Sequence, residues 1–124
     1  MKTHIELTHS PIIPPSFKLN SDEVGAQLEF LGIVRELEDD RSIAGLHYEA
    51  HEPMALSKLE TILSELQLLH PCEEIWLIHR LGFIPVGEVV MLIRVHSSHR
   101  KSALHLTDAL IDRLKMDVPI WKQA

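Results

Sequence analysis

Ser97-Ser98-His99-Arg100-Lys101 stands where an apolar stretch gives way to a helical spacing of apolar residues. A helix start carries unpaired backbone N–H groups and a partial positive charge. An imidazole, a guanidinium and an amine at that start suit a phosphate or another anion. A plain helix start capped by Ser97 or Ser98, with a solvated basic first turn, explains the same residues. A basic first turn opposes the helix dipole, which costs a little stability unless an anion sits beside it.

Lys115 and Lys122 form a second candidate pair. Lys115 ends the same helical stretch, where the dipole favours a cation in any case. Lys122 follows Trp121 near the end of the sequence, where an exposed lysine is ordinary. Pro119 between them can turn the chain so that both amines face one pocket. Amines crowded among other cations have lowered pKa values and serve as acid, base or nucleophile. Arg35 stands where an apolar stretch meets the acidic run Glu36, Glu38, Asp39 and Asp40. That run reads either as a solvated loop or as a gate against anionic ligands. His47, Glu49 and His51 alternate, so they share one strand face. They offer metal-ligand chemistry without a fourth ligand, and a polar, half-exposed face is the simpler reading. His79 and His96 lie within apolar stretches and read as structural histidines. Cys72, at a helix end after Pro71, shows no activating neighbour and reads as structural.

The elements that must position these residues follow from period and punctuation. Lys2 to Thr8, Gly25 to Val34, Ile43 to His51, Ile75 to Leu81 and Glu88 to Val95 read as strands. Gly32 marks a bulge or a close backbone approach. Ser10 to Ser16, with three prolines, reads as a loop, and Asn20 to Val24 as a helical turn. Arg35 to Arg41 has no apolar period and reads as an exposed, mobile loop. Pro53 opens a helix whose apolar positions are Met54, Leu59, Ile62, Leu63, Leu66 and Leu69, and Pro71 stops it. A second helix runs to about Lys115 on Ala103, Leu106, Leu110, Ile111 and Leu114. Gly82, Pro85 and Gly87 punctuate the link between two strands, and Pro119 to Lys122 reads as a short extended ending. The order predicts an α/β or α+β fold with helices packed on one sheet face, as one domain over residues 1–124.

Composition narrows the function classes. The 124 residues are 45% apolar and 24% charged, an ordinary balance for a soluble domain. A formal net charge of −6 argues against general nucleic-acid binding but leaves room for a local basic pocket. The one cysteine cannot form an internal disulfide, which suits a reducing cytoplasm. No run approaches the roughly 18–20 apolar residues of a membrane span, and the first ten residues lack an apolar signal core. No resident cofactor is called for by these residues.

Taken in order, GAQLEFLGIVRE, LHYEAHEPMA, IHRLGFIPVGE, VHSSHRKSA and DRLKMDVPIWK form a pattern that resembles the molybdopterin synthase large subunits. The resemblance runs from about Gly25 to Lys122. The His99-Arg100 block and the closing LKxxxPxWK weigh most in it. It implies an α/β hammerhead-type fold with a small added subdomain. It also implies a sulfurtransferase of molybdenum cofactor biosynthesis, built as a heterotetramer. Two large subunits form a central homodimer, and a small ubiquitin-like subunit docks at each end. The C-terminal Gly-Gly thiocarboxylate of the small subunit enters a pocket of the large one. Two such sulfurs convert cyclic pyranopterin monophosphate into molybdopterin. By motif, Lys115 and Lys122 match the family's catalytic lysines, and Arg35, His99 and Arg100 match its substrate-binding residues. The acidic, glycine-free loop after Arg35 departs from the family's small polar one. The family commonly continues past the tryptophan-lysine pair, where this sequence stops at Ala124. A non-catalytic relative that docks the ubiquitin-like partner is the competing reading. Retention of all five basic site residues argues against it.

Overall fold

The structure is a computed structural model that describes every residue except 15, 17, 20 and 124. Nine strands and two helices are present among the described residues. β1 (Lys2–Thr8), β2 (Ala26–Ile33), β6 (Glu74–Arg80) and β8 (Val89–Ser97) form one mixed sheet in the order β1-β6-β8-β2. Only β1 and β6 are parallel in it. α1 (Glu52–Leu69) and α2 (Arg100–Asp117) both pack on one face of that sheet, as the element order predicts. β5 (Gly45–Ala50) lies between β7 (Gly82–Pro85) and β9 (Ile120–Gln123) in a separate three-stranded sheet. β3 (Leu37–Glu38) and β4 (Arg41–Ser42) make a small hairpin.

Strand alternation sends Ile75, Leu77, Ile93 and Val95 toward the helices, where they meet Leu59, Ile62, Leu106 and Leu110. All eight are fully buried, each contributing about 1.5–3 kcal/mol by burial. The opposite face of the sheet carries polar partners instead. Arg94 is bonded to Glu29, and His96 Nε2 lies 2.9 Å from Gln27 Oε1. Met54 and Leu69, expected in the buried stripe of α1, are exposed, and Ala55 takes the inner position of its first turn. In α2, Thr107 is buried with the expected residues, its hydroxyl donating to the Ala103 carbonyl at 2.8 Å. Ile111 is only partly buried there.

The strand boundaries lie close to the expected ones, with three differences. Residues 37–42 form the β3–β4 hairpin, because Asp39 and Asp40 both adopt left-handed backbone (φ 50° and 63°) and close a two-residue turn. Gly82 to Pro85, read as a link, pairs with β5 as a strand. His51 leaves the strand and caps α1, its Nδ1 accepting the Met54 N–H at 3.3 Å. The bulge expected at Gly32 is present as a register shift between Gly32 and Ile33. The turn expected over 20–24 starts outside the described residues. Within them, Val24 N–H meets the Ser21 carbonyl at 3.5 Å.

A second apolar cluster of Val34, Leu46 and Ile84, with Tyr48 and Val90 against it, joins the small sheet to the end of β2. Val34 N–H donates to the Glu88 carbonyl at 3.1 Å, and the Val34 carbonyl accepts Gly87 N–H at 2.8 Å. His51 N–H donates to the Pro119 carbonyl at 3.2 Å, tying the end of β5 to the start of β9. These ties fix where the candidate basic residues emerge.

Candidate functional site

Arg35 follows Val34, which is 2% exposed and held by two backbone hydrogen bonds. The arginine therefore leaves the sheet from a fixed point. Lys115 lies in the last turn of α2, one residue after buried Leu114. Lys122 lies on β9 directly across from Tyr48 on β5, so both side chains share one face of the small sheet. A cavity of about 590 Å³ opens between the two sheets and α2, lined by Arg35, Lys115, Lys122, Tyr48, His79 and Glu38 together with apolar residues. Arg35 and, some eighty positions later, the two lysines thus share one concave wall.

The electrostatics of the cavity are uneven. Lys122 Nζ donates to Glu38 Oε1 at 2.9 Å. That hydrogen bond raises the amine's pKa above the ordinary lysine value, and lowers the carboxyl of Glu38 below its ordinary value. A carboxylate neighbour thus keeps Lys122 a cation, the opposite of the shift that crowding among cations would produce. Tyr48 is half-buried, and burial raises its pKa, so it stays a neutral phenol. His79 is 3% exposed, and its Nδ1 lies 2.8 Å from the Arg80 carbonyl. A carbonyl only accepts, so Nδ1 carries the proton. Burial lowers the His79 pKa and keeps the ring neutral. Its ring meets that of Tyr48 edge-on, with centroids 5.1 Å apart.

His99 and Arg100 stand elsewhere. His99 is the N-cap of α2 and Arg100 its first residue, at the end of the helix opposite Lys115. The fifteen residue steps from Arg100 to Lys115 rise about 22 Å along the axis. Within one chain the cavity does not include this pair. The serine expected to cap α2 does not: His99 occupies the cap without a side-chain bond to the helix. Ser97 Oγ instead accepts His99 N–H at 3.2 Å and donates to the His99 carbonyl at 2.8 Å. The first turn of α2 holds no acidic residue, so its N–H groups and basic side chains face solvent together.

His47 and Glu49 lie 3.4 Å apart, but His51 has turned away to cap α1. Among the described residues no group of three or more His, Cys, Asp or Glu side chains is placed to hold a metal ion. Cys72 is half-buried, and burial raises its thiol pKa, which fits the structural reading. Sequence reasoning missed Tyr48 and His79 as cavity residues. Strand period alone puts Tyr48 on the face opposite His47 and Glu49, which was a usable signal. His79 gave none beyond its apolar setting.

The family model for the MoaE protein matches residues 7–117. The chain belongs to the MoaE family. It is 40% identical over 123 residues to the molybdopterin synthase catalytic subunit of Drosophila willistoni, covering 97% of this chain. It spans 33%, about a third, of the length of that protein. The structure of molybdopterin synthase from Staphylococcus aureus superposes with a TM-score of 0.84 at 35% identity, covering 94% of this chain and 86% of that one. The complex of subunits 1 and 2 of molybdopterin-converting factor from Helicobacter pylori matches with a TM-score of 0.70 at 25% identity, covering 97% and 82%. The mixed α+β architecture of this MoaE-family chain is that of its solved relatives. Among its described residues, no helix is long and apolar enough to cross a membrane.

Proposed function

We propose that this chain is the catalytic subunit of a molybdopterin synthase, working in the cytoplasm. It takes sulfur from the thiocarboxylate at the Gly-Gly tail of a small ubiquitin-like subunit. It places that sulfur on cyclic pyranopterin monophosphate, and two such transfers with opening of the cyclic phosphate give the dithiolene of molybdopterin. The observation that carries the reading is the cavity that gathers Arg35, Lys115 and Lys122 in a MoaE-family chain. The names of the relatives support the activity, and the two-subunit Helicobacter pylori complex supports the small partner.

Roles follow from charge and place. A cyclic phosphate is best held by guanidinium groups and helix N–H donors, which assigns Arg35, His99 and Arg100 to phosphate and pterin. Given the length of α2, His99 and Arg100 reach the cavity from the second copy of a homodimer. Lys115 is the central catalytic amine, beside the tail carboxyl, moving protons during sulfur addition. Lys122, held as a cation, positions substrate and offsets the negative charge that develops as sulfur is transferred. The test is a sulfur-transfer assay with purified precursor and thiocarboxylated partner. Lys115→Ala, in protein shown by circular dichroism to stay folded, loses about 10²–10³ in turnover. Near-normal turnover removes Lys115 from the mechanism.

A further inference from the structure

The acidic loop that departs from the family pattern places one of its carboxylates inside the cavity. Among the described lining residues, Glu38 alone carries a carboxylate. Its side chain is 20% exposed, whereas that of its partner Lys122 is 52% exposed. The hairpin thus turns Glu38 inward, while its neighbours Leu37 and Asp39 stay at the surface. The hydrogen bond at 2.9 Å between Lys122 Nζ and Glu38 Oε1 is the contact that an incoming carboxylate or phosphate would make with the same amine. The cations Arg35 and Lys115 line the same cavity.

The support beneath Glu38 is slight. β3 and β4 are two residues each, and a short two-stranded ribbon is marginal in water. The turn uses two aspartates in left-handed backbone, which is less favourable for them than for glycine. At its base, Ile43 N–H donates to the Glu36 carbonyl at 2.8 Å. The Lys122 contact reaches from this hairpin to β9, 84 residues away in sequence. An arm with so little internal pairing opens at low cost.

We propose that Glu38 is a built-in competitor for anions at Lys122: its carboxylate fills the position in the unliganded chain and leaves with the β3–β4 hairpin when an anionic ligand takes its place. The inference rests on the reading of Lys122 as a substrate-positioning cation. Every anion must displace Glu38, so a ligand that touches Lys122 alone gains little. A ligand that also reaches Arg35 or Lys115 prevails. Glu38 therefore sets specificity for extended or multiply charged anions over small monovalent ones.

Both the tail carboxylate of a partner and the phosphate of a small substrate have this chemistry, so the experiment carries two arms. Inorganic pyrophosphate and a synthetic peptide ending in Gly-Gly are titrated separately into the full chain and into Glu38→Gln. Binding is followed by the NMR signal of the Lys122 Cε, assigned with Lys122→Met. Removing a partly exposed competing pair tightens the apparent Kd about two- to fivefold for the ligand that uses Lys122. The arm in which the gain appears identifies the source. Equal or weaker binding by Glu38→Gln in both arms overturns the proposal, as does failure of both ligands to move the Lys122 signal in the wild type and in Glu38→Gln. Sulfur transfer by the wild type with no gain in Glu38→Gln removes the competitor and leaves the synthase reading. A gain in Glu38→Gln without any sulfur transfer does the reverse.

Discussion

Arg100 and Lys115 stand at opposite ends of α2, the first beside open helix N–H groups and the second in the wall of the cavity. With about 22 Å of helix between them, one substrate the size of a pterin phosphate does not touch both within one chain. If both serve one reaction, they come from different copies. Arg100→Ala and Lys115→Ala are each expected to be inactive alone. After mixing and subunit exchange, half of the dimers are hybrids, and each hybrid holds one intact composite site. Activity then recovers to about a quarter of the wild-type value. Hybrid dimers that are demonstrably formed yet inactive would place the two residues in separate functions.

His79 makes stability depend on pH below neutrality. Burial lowers its pKa in the folded chain, whereas the unfolded chain takes up a proton near the ordinary value of 6.5. The unfolded state therefore binds more protons as pH falls below that value. The stability from a neutral His79 is fully present above about pH 6.5 and is lost as pH falls toward the folded pKa. His96 shifts in the same direction, so each ring contributes a share. Denaturant midpoints measured from pH 5 to 8 should rise with pH in the wild type. His79→Asn retains a donor for the Arg80 carbonyl and should flatten that rise by up to about 1.4 kcal/mol per pH unit. An unaltered slope in this variant rules out His79 as a source.

The elements with many periodic residues were legible in the sequence. Pro53 and Pro71 bracket α1, and the apolar runs within Ile75 to Leu81 and Glu88 to Val95 announce the central strands β6 and β8. The hairpin at 37–42 was not legible, because two residues per strand carry no period and its turn uses aspartates where glycine is the usual signal. β7 was hidden among Gly82, Pro85 and Gly87, whose punctuation describes the turns at its ends rather than the strand between. Arg35, Lys115 and Lys122 were legible as a set only through the family pattern. Their shared cavity depends on β5–β9 pairing, a contact between residues seventy or more positions apart. Glu38 lies beyond both routes, since a surface acidic run gives no hint of which carboxylate turns inward.

Gly45 begins β5, the strand whose register sets Tyr48 opposite Lys122. Its backbone is not in the left-handed region, so alanine is acceptable on backbone grounds and would gain about 0.4–1 kcal/mol from a stiffer unfolded chain. Space decides otherwise. A Cβ there would run into the Ile84 carbonyl oxygen and lie 2.6 Å from the Phe83 ring. The ring can swing away because Phe83 is exposed, but the carbonyl belongs to the paired strand. Relief requires β5 and β7 to separate, and overpacking of this kind costs about 1–3 kcal/mol. The clash exceeds the entropic gain, so Gly45→Ala should lower the melting temperature by about 5 °C. Sulfur transfer should fall with it even at temperatures where the variant is folded, because the same displacement moves Tyr48 relative to Lys122. Calorimetry and the transfer assay on one preparation check both. A melting point equal to the wild type would show that the sheet absorbs the methyl group and that the β5 register is not rigidly held.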